Sequence, residues 1–155
     1  MNAYDIARTI RESFDGGDRP YRHTPETGTF AFACGGQWAV ILQPFGQNIE
    51  FSCWFRPAFS IMTAAKVTEY AEKLTAVGFC GKFSVRGHET EQGKLQLSCR
   101  MLKACGDDFS AEVFAGMLDE LQAALQAAGD RSSDAAEGGL TVDDAVKAVL
   151  EQYQS

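Results

Sequence analysis

No apolar run in this chain of 155 residues approaches the roughly 18–20 positions that a membrane-crossing helix requires. The opening stretch MNAYDIARTIRESF has no uninterrupted apolar core either, because Asp5 and Glu12 break it, so it does not read as a signal peptide. A cytoplasmic protein without a membrane partner is expected. Histidine is scarce: His23 and His88 stand far apart in polar segments, with no H-x-x-x-H pair and no Cys/His cluster at metal-ligand spacing. There is no G-x-x-x-x-G-K-[ST] or G-x-G-x-x-G to cradle phosphates, no G-x-S-x-G nucleophile turn, and no D-x-[DN]-x-[DN]-G calcium loop. No solenoid-type repeat is present. Neither a metal nor a cofactor is expected, and no acid, base or nucleophile is placed with the specificity that an enzyme needs.

Basic clusters are also lacking. Acidic side chains outnumber basic ones 21 to 14, for a formal charge of −7, and the imbalance is local. Residues 1–106 hold 12 Lys and Arg against 10 Asp and Glu, whereas residues 107–155 hold 2 against 11. Affinity for nucleic acid begins with Lys and Arg meeting phosphates, so nucleic acid is not expected as a partner. Five cysteines (Cys34, Cys53, Cys80, Cys99 and Cys105) make an odd set without a C-x-x-C pair, as expected for reduced, buried thiols. A cysteine-based redox sensor or thiol enzyme is the competing reading. It would need a depressed thiol pKa in a partly exposed site.

What is present can fold. With 45% hydrophobic and 11% aromatic residues the chain can bury a core of its own. Ala3, Ile6, Ala7, Ile10 and Phe14 share one helical face, and Gly16-Gly17 ends that helix. Three strands are expected over 27–34, 37–43 and 49–56, the last with Ile49, Phe51, Cys53 and Phe55 alternating against Glu50, Ser52, Trp54 and Arg56. A second helix carries Val67, Tyr70, Ala71, Leu74 and Val77; strands 79–86 and 94–102 follow, joined by the polar loop GHETEQG. Ser110 caps a third helix running through Ala128. The segment 129–139, GDRSSDAAEGG, has no period and no large apolar side chain, so it reads as a flexible linker to a short helix over 140–155. That helix would dock either on its own body or on a second subunit. The fold class is therefore α+β, an antiparallel sheet with helices in the order α-β-β-β-α-β-β-α plus a tail helix. The body is a single domain over 1–128.

Trp54 shares its parity with Glu50, Ser52 and Arg56, opposite Phe51 and Phe55. An exposed Trp beside an Arg anchors many protein interfaces, unless the chain itself covers it. The outward parity of the preceding strand, Ala39 and Ile41 or Trp38 and Val40, would extend the patch. Trp54, Arg56 and Ile41 are the candidate partner-binding residues.

The element order over roughly residues 2–128, and the stretches VTEYAEKLTAVGFCGKFSVR, GKLQLSCRML and DDFSAEVFAGMLDELQAAL, resemble the type III secretion chaperone fold and its relatives, the YbjN family of bacterial proteins. The resemblance implies a small, acidic, non-enzymatic protein, often a homodimer, that is chaperone-like or regulatory. It would bind a protein partner or an extended polypeptide segment on its sheet or helix surfaces. The overall acidity would favour basic client segments.

Overall fold

The computed structural model describes residues 2–154. Met1 and Ser155, the outer ends of the expected body and tail helix, lie outside the described residues. The first helix, α1 (Ala3–Asp15), begins at a capping box in which Asn2 and Asp5 each satisfy the other's backbone N–H. It buries Ile6, Ile10 and Phe14. There follow β1 (Tyr21–Thr24), β2 (Thr29–Cys34), β3 (Trp38–Phe45), β4 (Asn48–Phe55) and a two-residue β5 (Phe59–Ser60). A short 3₁₀ turn, Ile61–Thr63, leads into α2 (Ala64–Ala76), then β6 (Lys82–Gly87), β7 (Lys94–Ala104), α3 (Ala111–Glu137) and α4 (Val142–Gln154).

All strand pairings are antiparallel. β1, β2, β3 and β4 form a meander, β4 and β5 share one edge of β7, and β6 lies on the other. The α+β class and the expected order hold, with β1 and β5 added as short strands. β1 is too short to show a period between Pro20 and Pro25. It is held by its partners: the Tyr21 ring stacks on Phe14 at 4.6 Å and the His23 ring on Phe30 at 4.3 Å. The three-residue β2–β3 turn, residues 35–37, holds Gly35 and Gly36 at φ 63° and 77°, a left-handed conformation that glycine adopts without strain.

Alternation gives the sheet two unlike faces. Phe30, Phe32, Trp38, Val40, Leu42, Ile49, Phe51, Cys53, Phe55, Phe83, Leu97 and Cys99 point to one side and merge with the buried stripes of all four helices into one core.

The segment 129–139 is not a linker. α3 runs on for 27 residues to Glu137 and buries Ala127, Ala128, Gly129, Ser132, Ala135 and Ala136. Small side chains, read from sequence as flexible coil, here let the helix approach the sheet closely. A Cβ on Gly129 would stand 2.7 Å from the Phe55 ring and 3.0 Å from Trp38 Nε1. Tyr70 Oη donates to the Ala128 carbonyl at 2.6 Å, and Ser132 Oγ to that of Gly129 at 2.6 Å. Gly138, at φ 79°, closes the helix. The chain then reverses into α4, which buries Val142, Ala145, Val146 and Val149. It docks on its own body: Lys73 of α2 pairs with Asp143, Gln152 bonds Asp130 at 2.9 Å, and the Tyr153 ring meets Phe79 edge-on at 5.1 Å. No boundary separates a 1–128 body from this tail, because Ala135 to Val149 belong to the same core.

Candidate functional site

With every helix on one side, the other face of the sheet is bare. Cross-strand register fixes what it presents. One row runs Arg22, Ala31, Ile41, Ser52, Arg100 and Lys82, from β1 across to β6. The next row is Ala33, Ala39, Trp54, Ser98 and Ser84. Neighbouring strands lie about 4.8 Å apart, so Ala31, Ala33, Ala39, Ser52, Ser84 and Ser98 form a low floor, bordered by Arg22 on one side and by Arg100 and Lys82 on the other. Trp54 and Ile41 stand on that floor.

The three residues singled out from sequence fall as follows. Trp54 is half-buried, set in a shallow depression of about 140 Å³ with Ser52, Ser98, Arg86 and Arg100 around it. Ile41 faces out and is 39% exposed, which settles the parity of β3: Ala39 and Ile41 face outward, Trp38 and Val40 inward. Arg56 is exposed just past the end of β4, where its backbone N–H donates to the Gln37 carbonyl at 2.7 Å. Trp54 and Ile41 lie in adjacent rows on adjacent strands, and Arg56 follows in phase with Trp54. Leu102, 59% exposed opposite Glu50, adds an apolar group that the sequence reading passed over.

The face is also cationic, which the sequence reading did not anticipate. Within the strands Arg22, Lys82, Arg86, Lys94 and Arg100 occupy outward positions against one carboxylate, Glu50, and Arg56 is exposed just past the end of β4. Glu50 is already bound to Arg100 at 2.6 Å. Among the described residues Arg22, Arg56, Lys82 and Arg86 make no ion pair. A basic patch is therefore present, assembled from residues scattered along the chain. Lys82, Ser84 and Arg86 alternate in the sequence, and that alternation was the legible signal. Beneath the cations, Ser84 Oγ and Ser98 Oγ share a 2.9 Å hydrogen bond, which satisfies the buried Ser98 hydroxyl.

Other chemistry is thin. His23 stacks in the core layer, and His88 Nδ1 accepts from the Glu91 N–H at 3.2 Å inside the β6–β7 loop. Among the described residues no group of three His, Cys, Asp or Glu could hold a metal ion, and no helix is long and apolar enough to cross a membrane. Cys34, Cys53, Cys99 and Cys105 are buried and Cys80 half-buried. Burial pushes the Cys34 thiol up to about 11 against the pull of Arg19, and it pushes Cys53 up as well. Cys99 is raised by its hydrogen bond with Cys80 and then by burial. Cys80 lines a cleft of about 240 Å³ with Phe79, Met101 and Tyr153. A larger cleft, about 580 Å³, lies between α1 and the β1–β2 hairpin, lined by Tyr4, Ala7, Arg11, His23 and Pro25 among others.

No family model and no curated protein matches this sequence. Solved structures do match in fold. YbjN from E. coli, described as a putative transcription regulator, superposes with a TM-score of 0.52 at 10% identity, covering 93% of this chain and 88% of that one. A chain of the ExsC–ExsE complex superposes with a TM-score of 0.50 at 15% identity, covering 87% of this chain and 97% of that one. At such identities the likeness speaks for architecture: the chain has the YbjN-like, type III secretion chaperone-like fold.

Proposed function

We propose that the protein is a non-enzymatic, chaperone-like or regulatory polypeptide-binding protein that receives an extended segment of a partner on the helix-free face of its sheet. The observation that carries this reading is the bare face itself. A half-buried Trp54, with Ile41 and Leu102 exposed beside a flat floor of Ala and Ser, is a surface suited to covering by another chain. The fold also occurs in the ExsC–ExsE complex, which supports a role in protein binding. Trp54 is the anchor and Ile41 and Arg56 flank it. Trp54→Ala removes the largest outward side chain without touching the core. On a display library of extended peptides, the peptides held by the native chain lose about 30-fold or more in affinity for Trp54→Ala, the range of an interface anchor. Retention of the same peptides at the same affinity by the variant overturns the reading.

The cysteine-based alternative narrows to Cys80. Among the five thiols it alone combines partial exposure, an open cleft and a neighbouring thiol, that of Cys99.

A further inference from the structure

The bare sheet face selects a class of segment by charge. It carries five cations and one carboxylate, and that carboxylate is consumed by Arg100. Two of the cations, Arg86 and Arg100, line the Trp54 depression, and Lys82 stands beside Arg100. Lys82 and Arg100 are direct cross-strand neighbours, Arg86 sits opposite Gln96, and the Ser84–Ser98 pair between them adjoins Trp54. Lys82 and Arg86 are four residues apart on one strand, a separation of about 13 Å at the usual rise. An extended segment has the same repeat. A carboxylate at its first position and another at its fifth would meet Arg86 and Lys82, with the apolar side chain between them over the Ser84–Ser98 pair, beside the depression that Ser98 shares with Trp54.

We infer that the segment taken by this face is acidic, with carboxylates flanking a central apolar residue. This deepens the polypeptide-binding reading and rests on it. It reverses the expectation drawn from net charge, since the acidic residues that dominate the total belong largely to α3 and α4 and the connections around them, while the open face has the opposite sign. A single-stranded nucleic acid would also meet cations. The face offers it one aromatic ring, where a base-stacking surface needs several, and the rest of the chain repels phosphate.

The test uses the full chain and three dye-labelled peptides that share a central leucine and differ only in the flanking residues: aspartates, serines or lysines. A short oligothymidylate serves as a fourth probe. Binding is read by anisotropy and by Trp54 fluorescence, Trp38 being buried. The aspartate peptide is expected to bind about tenfold more tightly than the serine peptide at low salt, and this advantage should vanish at high salt. In the double variant Lys82→Ser/Arg86→Ser, both positions exposed and without ion pairs, the advantage of the aspartate peptide over the serine peptide disappears. Equal binding of the serine and aspartate peptides, or preference for the lysine peptide, overturns the charge assignment and leaves the sheet-face reading standing. Preference for oligothymidylate overturns it in favour of nucleic acid. If no peptide binds, both fall.

Discussion

Two glycines in one helix provide a sharp test of how α3 meets the sheet. Gly116 and Gly129 both lie inside α3, so replacing either with Ala removes the same backbone freedom from the unfolded chain and gains the same helix propensity, about 0.5–1 kcal/mol. Their surroundings differ. A Cβ on Gly116 meets nothing within 4 Å, whereas on Gly129 it meets the Phe55 ring at 2.7 Å and Trp38 Nε1 at 3.0 Å. Phe55 cannot swing aside, since its ring packs against Trp38 at 5.1 Å and Phe59 at 5.9 Å. Forcing a methyl into such a contact costs about 1–3 kcal/mol. The propensity gain cancels between the two variants, so the difference in stability between them isolates the close approach. Gly116→Ala should raise the urea midpoint and Gly129→Ala should lie about 1–3 kcal/mol below it. In thermal melts this corresponds to about 2–4 °C per kcal/mol for a chain of this size. Equal stabilisation by both substitutions, with unchanged m-values, would refute the packing and return the segment after residue 128 to a linker.

Alkylation and alkali probe the thiols. Iodoacetamide on the native chain is expected to add once, at Cys80, and at all five positions only after denaturation; an early adduct on Cys53 or Cys99 contradicts their burial. The folded thiol of Cys34 titrates near 11, above its ordinary value of 9.0, so the folded state holds that proton more tightly than the unfolded one. Its stabilising contribution is fully present below pH 9 and lost as pH rises through 11, with Cys53, Cys99 and Tyr70 shifted in the same direction. Urea midpoints should therefore fall above pH 9, and a flat profile there contradicts the shifts.

Most of the fold was legible because its strands alternate and its helices carry stripes. The β4 pattern, Ile49 to Phe55 against Glu50 to Trp54, appears in the structure as an unbroken buried and half-buried alternation. The same period placed Trp54 on the outer face. The parity of β3 was not legible, because Trp38-Ala39-Val40-Ile41-Leu42 is apolar throughout; only pairing with β2 and β4 decides that Ile41 looks out. The end of α3 was misread for a related reason. Periodicity is recognised by large apolar side chains, and Ala128, Gly129, Ser132 and Ala135 mark a buried face by being small. Composition cannot separate a helix pressed against a sheet from a soft linker. The hydroxyl of Tyr70, donating to the Ala128 carbonyl from another helix, separates them at once.

The cationic face shows why a partition of charge along the chain differs from one in space. By sequence the first 106 residues are close to neutral and the last 49 acidic, which suggested a solvated acidic end and a basic client. The sheet sends Arg22, Lys82, Arg86 and Arg100 outward from β1, β6 and β7, while α1 and α2 are nearly balanced, with five carboxylates against four cations, and the acidic excess rides on α3 and α4. The molecule is thus polarised across its thickness, with cations on the open face and acids on the helical layer. An acidic segment is drawn to the sheet and turned away from α3 and α4, so the field orients the encounter before any contact forms. The same polarity bears on self-association. A two-fold contact between sheet faces would set Lys82, Arg86 and Arg100 of one copy against those of the other, a repulsive pairing. Self-association through the open face is therefore disfavoured by charge, and in the proposed mode of binding that face is left to an acidic segment.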